Sequence, residues 1–102
     1  MTEKKNEADG DINGVFCHPE RLRILLRLRE DPTYVSELSR VLNIDRGIVG
    51  YHIGILEAHG YLNGKHEISE TGNSKGRAIH MFSVTEKAEK RLSMLSDILS
   101  GA

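Results

Sequence analysis

Residues 44–61, IDRGIVGYHIGILEAHGY, decide the fold. On a helix of 100° per residue, Val49, His52, Ile53 and Leu56 share one side with Ile48 and Ile55 flanking it. Gly47, Gly50, Gly54, Tyr51 and Ala58 line the other. Glycine is a poor helix former, and three in one helix cost about 2.5 to 3 kcal/mol against alanine. Something other than propensity must favour them. A face nearly bare of side chains lets another molecule approach the backbone, so the spacing predicts a helix with a core side and a docking side. The competing reading is that the glycines admit a neighbouring helix.

Upstream, Thr33 is placed to cap a short helix over 34–42, in which Val35, Leu38, Val41 and Leu42 follow helical spacing. Asn43-Ile44-Asp45 makes the turn, and Asp45 is the natural cap for the glycine-faced helix. Two short helices joined by a tight turn form a helix-turn-helix unit, the second being the recognition helix. Further back, PERLRILLRLR over 19–29 carries Leu22, Leu25 and Leu26 on one side and Ile24 and Leu28 on another, which predicts a helix buried on two sides. Pro19 suits its first turn and Asp31-Pro32 ends it. Arg21, Arg23, Arg27 and Arg29 read as a solvated charged face, and Val15 and Phe16 join the core from just before the helix.

Downstream, Gly60 stops the glycine-faced helix. Residues 62–69 and 77–84 read as two strands around the polar turn 70–76, a hairpin that forms a wing. Ala78, His80, Phe82 and Val84 fall on one side, Ile79 and Met81 on the other. A hairpin centred on Asn73 would set His66 opposite His80. Thr85 caps a last helix in which Ala88, Leu92, Leu95 and Leu99 recur on one seam, and such a seam wants a partner.

With 102 residues, 38% of them hydrophobic and 28% charged, the chain has room for one small core, expected over 15–99. Residues 1–14, with Lys4 and Lys5 against Glu3, Glu7, Asp9 and Asp11, read as a disordered acidic tail without the apolar stretch of a signal peptide. A net charge of -1 argues against indiscriminate coating of nucleic acid but not against a local basic surface. Cys17 stands alone, so no internal disulfide forms, and it reads as a small buried hydrophobe. No run is apolar enough to span a membrane. A cytoplasmic location is expected. There is no nucleophile, base and orienter set and no phosphate loop, so neither catalysis nor a cofactor is expected.

The strings HPERLRILLRL, YVSELSRVLNI, VGYHIGILEAHGYL and GRAIHMFSVTEKAEKRL, in this order, resemble the ArsR-like group of winged helix-turn-helix regulators, with MarR-like regulators as near relatives. The resemblance covers residues 15–99 and implies a mainly α fold with a small β-hairpin wing. It implies a homodimeric regulator of transcription, a repressor by type, that binds double-stranded DNA. Its first and last helices would make the dimer, through Val15, Phe16, Leu22, Leu92, Leu95 and Leu99. By position in the resembled pattern, Arg46, Gly47, Gly50, Tyr51 and Gly54 would face DNA. The family's usual Ser, Thr, Gln, Lys or His on that face is replaced here by glycine, so readout rests on few side chains plus DNA shape. The family's metal sensors carry a cysteine pair before the recognition helix or His and acidic ligands on the last helix. This chain has neither set, so no metal is expected.

Lys65, Lys75 and Arg77 on the wing, and Arg40 on the helix before the turn, are candidate phosphate contacts, because cations on a hairpin tip can follow the duplex. His52 reads as a satisfied histidine at the core boundary. The alternative function is a winged-helix protein-interaction module that no longer binds DNA, motivated by the bare recognition face and the weak net charge.

Overall fold

The computed structural model describes residues 11–68, 76 and 78–100. A π-helical turn, Asp11–Phe16, overlaps the span expected as tail at residues 11–14 and leads into α1, Pro19–Glu30. The α1 helix is capped by His18, whose Nδ1 accepts the Glu20 N–H at 3.2 Å. It buries Ile24 and Leu28 on one side and Leu25 on the other, where Leu22 is half-buried and Leu26 stays 49% exposed, so that second side is only partly covered within the chain. The helix ends at Asp31 in extended backbone, as the following Pro32 requires.

The second helix, α2, runs Val35–Leu42. Its N-cap is Tyr34, with no side-chain cap bond, and this corrects the expectation for Thr33. Thr33 is buried and pairs instead with Phe82 in an antiparallel bridge, Thr33 N–H to Phe82 O at 3.2 Å and Phe82 N–H to Thr33 O at 2.8 Å. A strand contact from distant chain outcompetes a local cap that an exposed hydroxyl could have made. Asn43 closes α2 in the left-handed region, at φ 58°, and the Ser39 hydroxyl donates to Ile44 O at 2.6 Å across the turn.

The third helix, α3, runs Arg46–Ala58 and buries Val49, His52, Ile53 and Leu56, the side assigned to the core from spacing. Asp45 caps it, accepting the Gly47 N–H at 2.9 Å. At its end Gly60 takes φ 81°, which lets the Tyr61 N–H reach back to Leu56 O at 2.9 Å and close the last turn.

Strands β1, Leu62–Ile68, and β2, Ala78–Val84, pair antiparallel from Leu62 opposite Val84 to Ile68 opposite Ala78. His66 stands opposite His80, the pairing that centring on Asn73 predicted. A Cβ at Gly64 in β1 would lie 2.5 Å from His80 Nε2 and 2.8 Å from Glu57 Oε2, so a larger residue there would have to displace those side-chain ends. The last helix, α4, spans Glu86–Leu99, and the Thr85 hydroxyl that caps it accepts the Ala88 N–H at 3.2 Å.

One core joins these elements. Phe16 is fully buried against Tyr61, ring centroids 4.9 Å apart, with Leu25, Leu38, Leu56 and Leu62 around them. Phe16 joins the core as its place before α1 implied, and its full burial corrects the dimer-interface position that the resemblance implied for it. Two further readings are corrected by this packing: Cys17 is exposed rather than buried, and Arg21 is buried rather than solvated. No helix among the described residues is long and apolar enough to cross a membrane.

Candidate nucleic-acid interface

The docking side of α3 is open. Gly47 and Gly54 are exposed, and a Cβ added at Gly50 or Gly54 would meet nothing within 4 Å. No neighbouring helix of this chain fills the space, so among the described residues the glycines do not serve internal packing. Tyr51, 63% exposed, is the one large side chain on this face, and Arg46 stands exposed at its N-terminal end.

Beside Arg46 lies a cleft of about 390 Å³ lined by Tyr34, Val35 and Ser36 at the start of α2 and by Ala78, Ile79 and His80 of the wing. Every helix begins with N–H groups that lack an intrahelical partner, and they carry the positive end of the helix dipole. With no side-chain cap on α2 and a guanidinium at the rim, this corner suits an anion such as a backbone phosphate. Sequence reading missed Tyr34, Ser36 and His80, because nothing local brings the wing to the start of α2. The bridge between Thr33 and Phe82 does so.

The remaining candidates fall unevenly around this centre. Lys65 is exposed on β1, opposite Met81. Arg40 is exposed but held by Glu37 at 2.7 Å, so part of its charge is already answered. Lys75 and Arg77 lie outside the described residues. On the wing the His66 and His80 rings stack at 4.3 Å, and His80 in turn contacts Phe82 at 4.3 Å.

Behind the open face, His52 is 4% exposed and has a partner at each ring nitrogen. The Arg21 Nε–H donates to Nδ1 at 3.0 Å, and Nε2 lies 3.0 Å from Glu20 Oε1. A guanidinium only donates, so Nδ1 accepts, the ring proton sits on Nε2, and Nε2–H donates to the carboxylate. His18, Glu20 and His52 also place three ligand-type atoms within 4.8 Å of one another. Ligation through His52 Nε2 would move its proton to Nδ1, against the Arg21 N–H, and ligation through His18 would compete with the helix cap. The donor set is therefore committed to hydrogen bonds that hold α3 to the start of α1.

Leu22, Leu26, Leu92, Leu95 and Leu99 border an apolar groove of about 450 Å³ between α1 and α4. Leu92 belongs to the core, Val15, Leu22 and Leu95 are half-buried, and Leu99 is 77% exposed.

A helix-turn-helix followed by a two-stranded hairpin that folds back beside it defines a winged helix-turn-helix protein. Residues 18–63, a little under half of the chain, match the family model for bacterial regulatory proteins of the arsR family, a likeness that supports an ArsR-like winged-helix regulator. It is 34% identical over 59 residues to the HTH-type transcriptional repressor SmtB of Mycobacterium tuberculosis. That match takes in 58% of this chain and 44% of the repressor, so the chain covers less than half of that relative's length. In fold it is similar to NolR from Sinorhizobium fredii (TM-score 0.73, 22% identity, 100% of this chain and 96% of that one). It is also similar to a transcriptional regulator homologue from Pyrococcus horikoshii OT3 (TM-score 0.68, 24% identity, 93% and 96%).

Proposed function

We propose that this chain is a transcriptional repressor that binds double-stranded DNA as a homodimer in the cytoplasm. The observation that carries the reading is the open face of α3, where Gly47, Gly50 and Gly54 leave the helix backbone free to enter a major groove. Arg46 and the uncapped start of α2 hold the flanking phosphates, Lys65 and the wing follow the duplex, and Tyr51 reaches base edges. Lys75 and Arg77, outside the described residues, are further proposed phosphate contacts by their place in the sequence. A second copy covers the groove between α1 and α4, and two recognition helices then address half-sites about one turn, ~10 bp, apart.

Phosphate contact makes affinity fall with salt. For roughly four to eight neutralised phosphates per dimer, log K against log salt should slope at about -4 to -7. The test is anisotropy of a labelled random duplex at low and moderate salt, together with the mass of the protein in solution. Steep loss of binding by a dimer is the expected result. A monomer that ignores DNA at low salt overturns the reading and makes the open face a protein-docking site.

A further inference from the structure

Resting on the DNA-binding reading, we propose that His52 is a positioning residue for sequence recognition: anchored to Glu20 and Arg21, it fixes the direction in which Tyr51 meets the bases. His52 lies at the middle of α3, on the side away from the open face, and its ring is held at both nitrogens by consecutive residues of α1. Rotation of the imidazole would break both bonds at once. Arg21 is itself fixed, since its Nη1 donates to Val15 O at 3.1 Å and its buried stem is 7% exposed.

The held ring forms the middle of a row. The His18 ring lies 4.7 Å from it on one side and the Tyr51 ring 5.4 Å on the other, each tilted by nearly 60° to the imidazole. Tyr51 thus packs against a ring held at both nitrogens, while Gly47, Gly50 and Gly54 on its own face offer it no side chain. A face with one large side chain depends on that side chain's geometry for direct readout, because base-edge contacts require their donor or acceptor within a few tenths of an ångström. The proposed phosphate contacts come from Arg46, the first residue of α3, and Lys65, on β1, and neither belongs to the hydrogen-bonded set around His52.

A purely structural histidine and a positioning one differ in what their loss does. His52→Asn keeps an acceptor for Arg21 but removes the ring and the bond to Glu20. The measurements are melting temperature, affinity for a random duplex, and affinity for a duplex enriched from a random pool by the wild-type protein. The expected result is a roughly tenfold fall in the ratio of enriched to random binding, with random-duplex affinity and its salt slope unchanged within about twofold. In a Tyr51→Ala background the same substitution should cause no further fall. Parallel loss on both duplexes, or a fall that persists without Tyr51, overturns the proposal. If His52→Asn does not fold, Glu20→Ala carries the same comparison, because its partly exposed carboxylate lies outside the core, and a roughly threefold fall is expected. A wild-type chain that binds every duplex alike overturns this inference alone. One that binds no duplex overturns the DNA reading with it.

Discussion

Thr33 and Phe82 exchange both of their backbone hydrogen bonds, at 3.2 and 2.8 Å, and so tie the wing to the segment between α1 and α2. The bridge fixes where the hairpin stands relative to α2 and α3, and the buried Phe82 side chain locks it into the core. Phe82→Ala should therefore cost about 3 to 5 kcal/mol of stability. Urea denaturation should show a lower midpoint, and a variant with an unchanged midpoint would show that the wing is held by something else.

Glycine on the open face sets stability against function. Space for a Cβ exists at Gly50 and Gly54, so Gly50→Ala or Gly54→Ala should each stabilise the fold by up to about 1 kcal/mol through helix propensity. The same methyl should obstruct close approach to the groove and weaken duplex binding about tenfold. Thermal melting and anisotropy on one preparation check both signs. A more stable variant that binds DNA normally would mean that the helix does not approach the duplex along this face.

The Asp45 carboxylate accepts the Gly47 N–H at 2.9 Å. Asp45→Ala should cost about 1 kcal/mol, because one of the unpaired N–H groups at the start of α3 loses its partner. Chemical denaturation measures this directly. Asp45→Asn should keep most of the stability, since the amide oxygen still accepts.

Apolar side chains gather on the outer side of α4, where Ile98 is 62% exposed and Leu99 77%. Leu99→Glu places a charge at that surface without disturbing the core. It should convert the protein to a monomer in sedimentation velocity at micromolar concentration, with the monomer's fold intact by circular dichroism. A dimer of unaltered affinity would move the interface elsewhere.

Local signals carried much of this fold. The three-residue and four-residue spacing of Val49, Ile53 and Leu56 gave the core side of α3, Asp45 and Thr85 marked the starts of two helices, and Gly60 marked an end. Symmetry about Asn73 placed His66 against His80. What stayed hidden depends on partners distant in the chain. Thr33 has the composition of a cap, and only the arrival of Phe82 makes it a strand residue. Arg21 looks like its neighbours Arg23 and Arg27, and burial follows from His52 and the Val15 carbonyl accepting its N–H groups. Cys17 and Phe16 are adjacent, yet the turn into α1 sends one outward and the other against Tyr61. In the candidate site, the bare face of α3 was legible from spacing alone, while the cleft beside Arg46 required the wing to be in place.

A titration of isotopically labelled protein with duplex DNA, followed by backbone amide resonances, locates the surface that meets the duplex. The largest shifts should fall at Arg46, Gly47, Gly50, Tyr51 and Gly54, with a second group at Tyr34 to Ser36 and little change on α4. Shifts concentrated on α4 and absent from α3 would mean that α3 does not enter the groove.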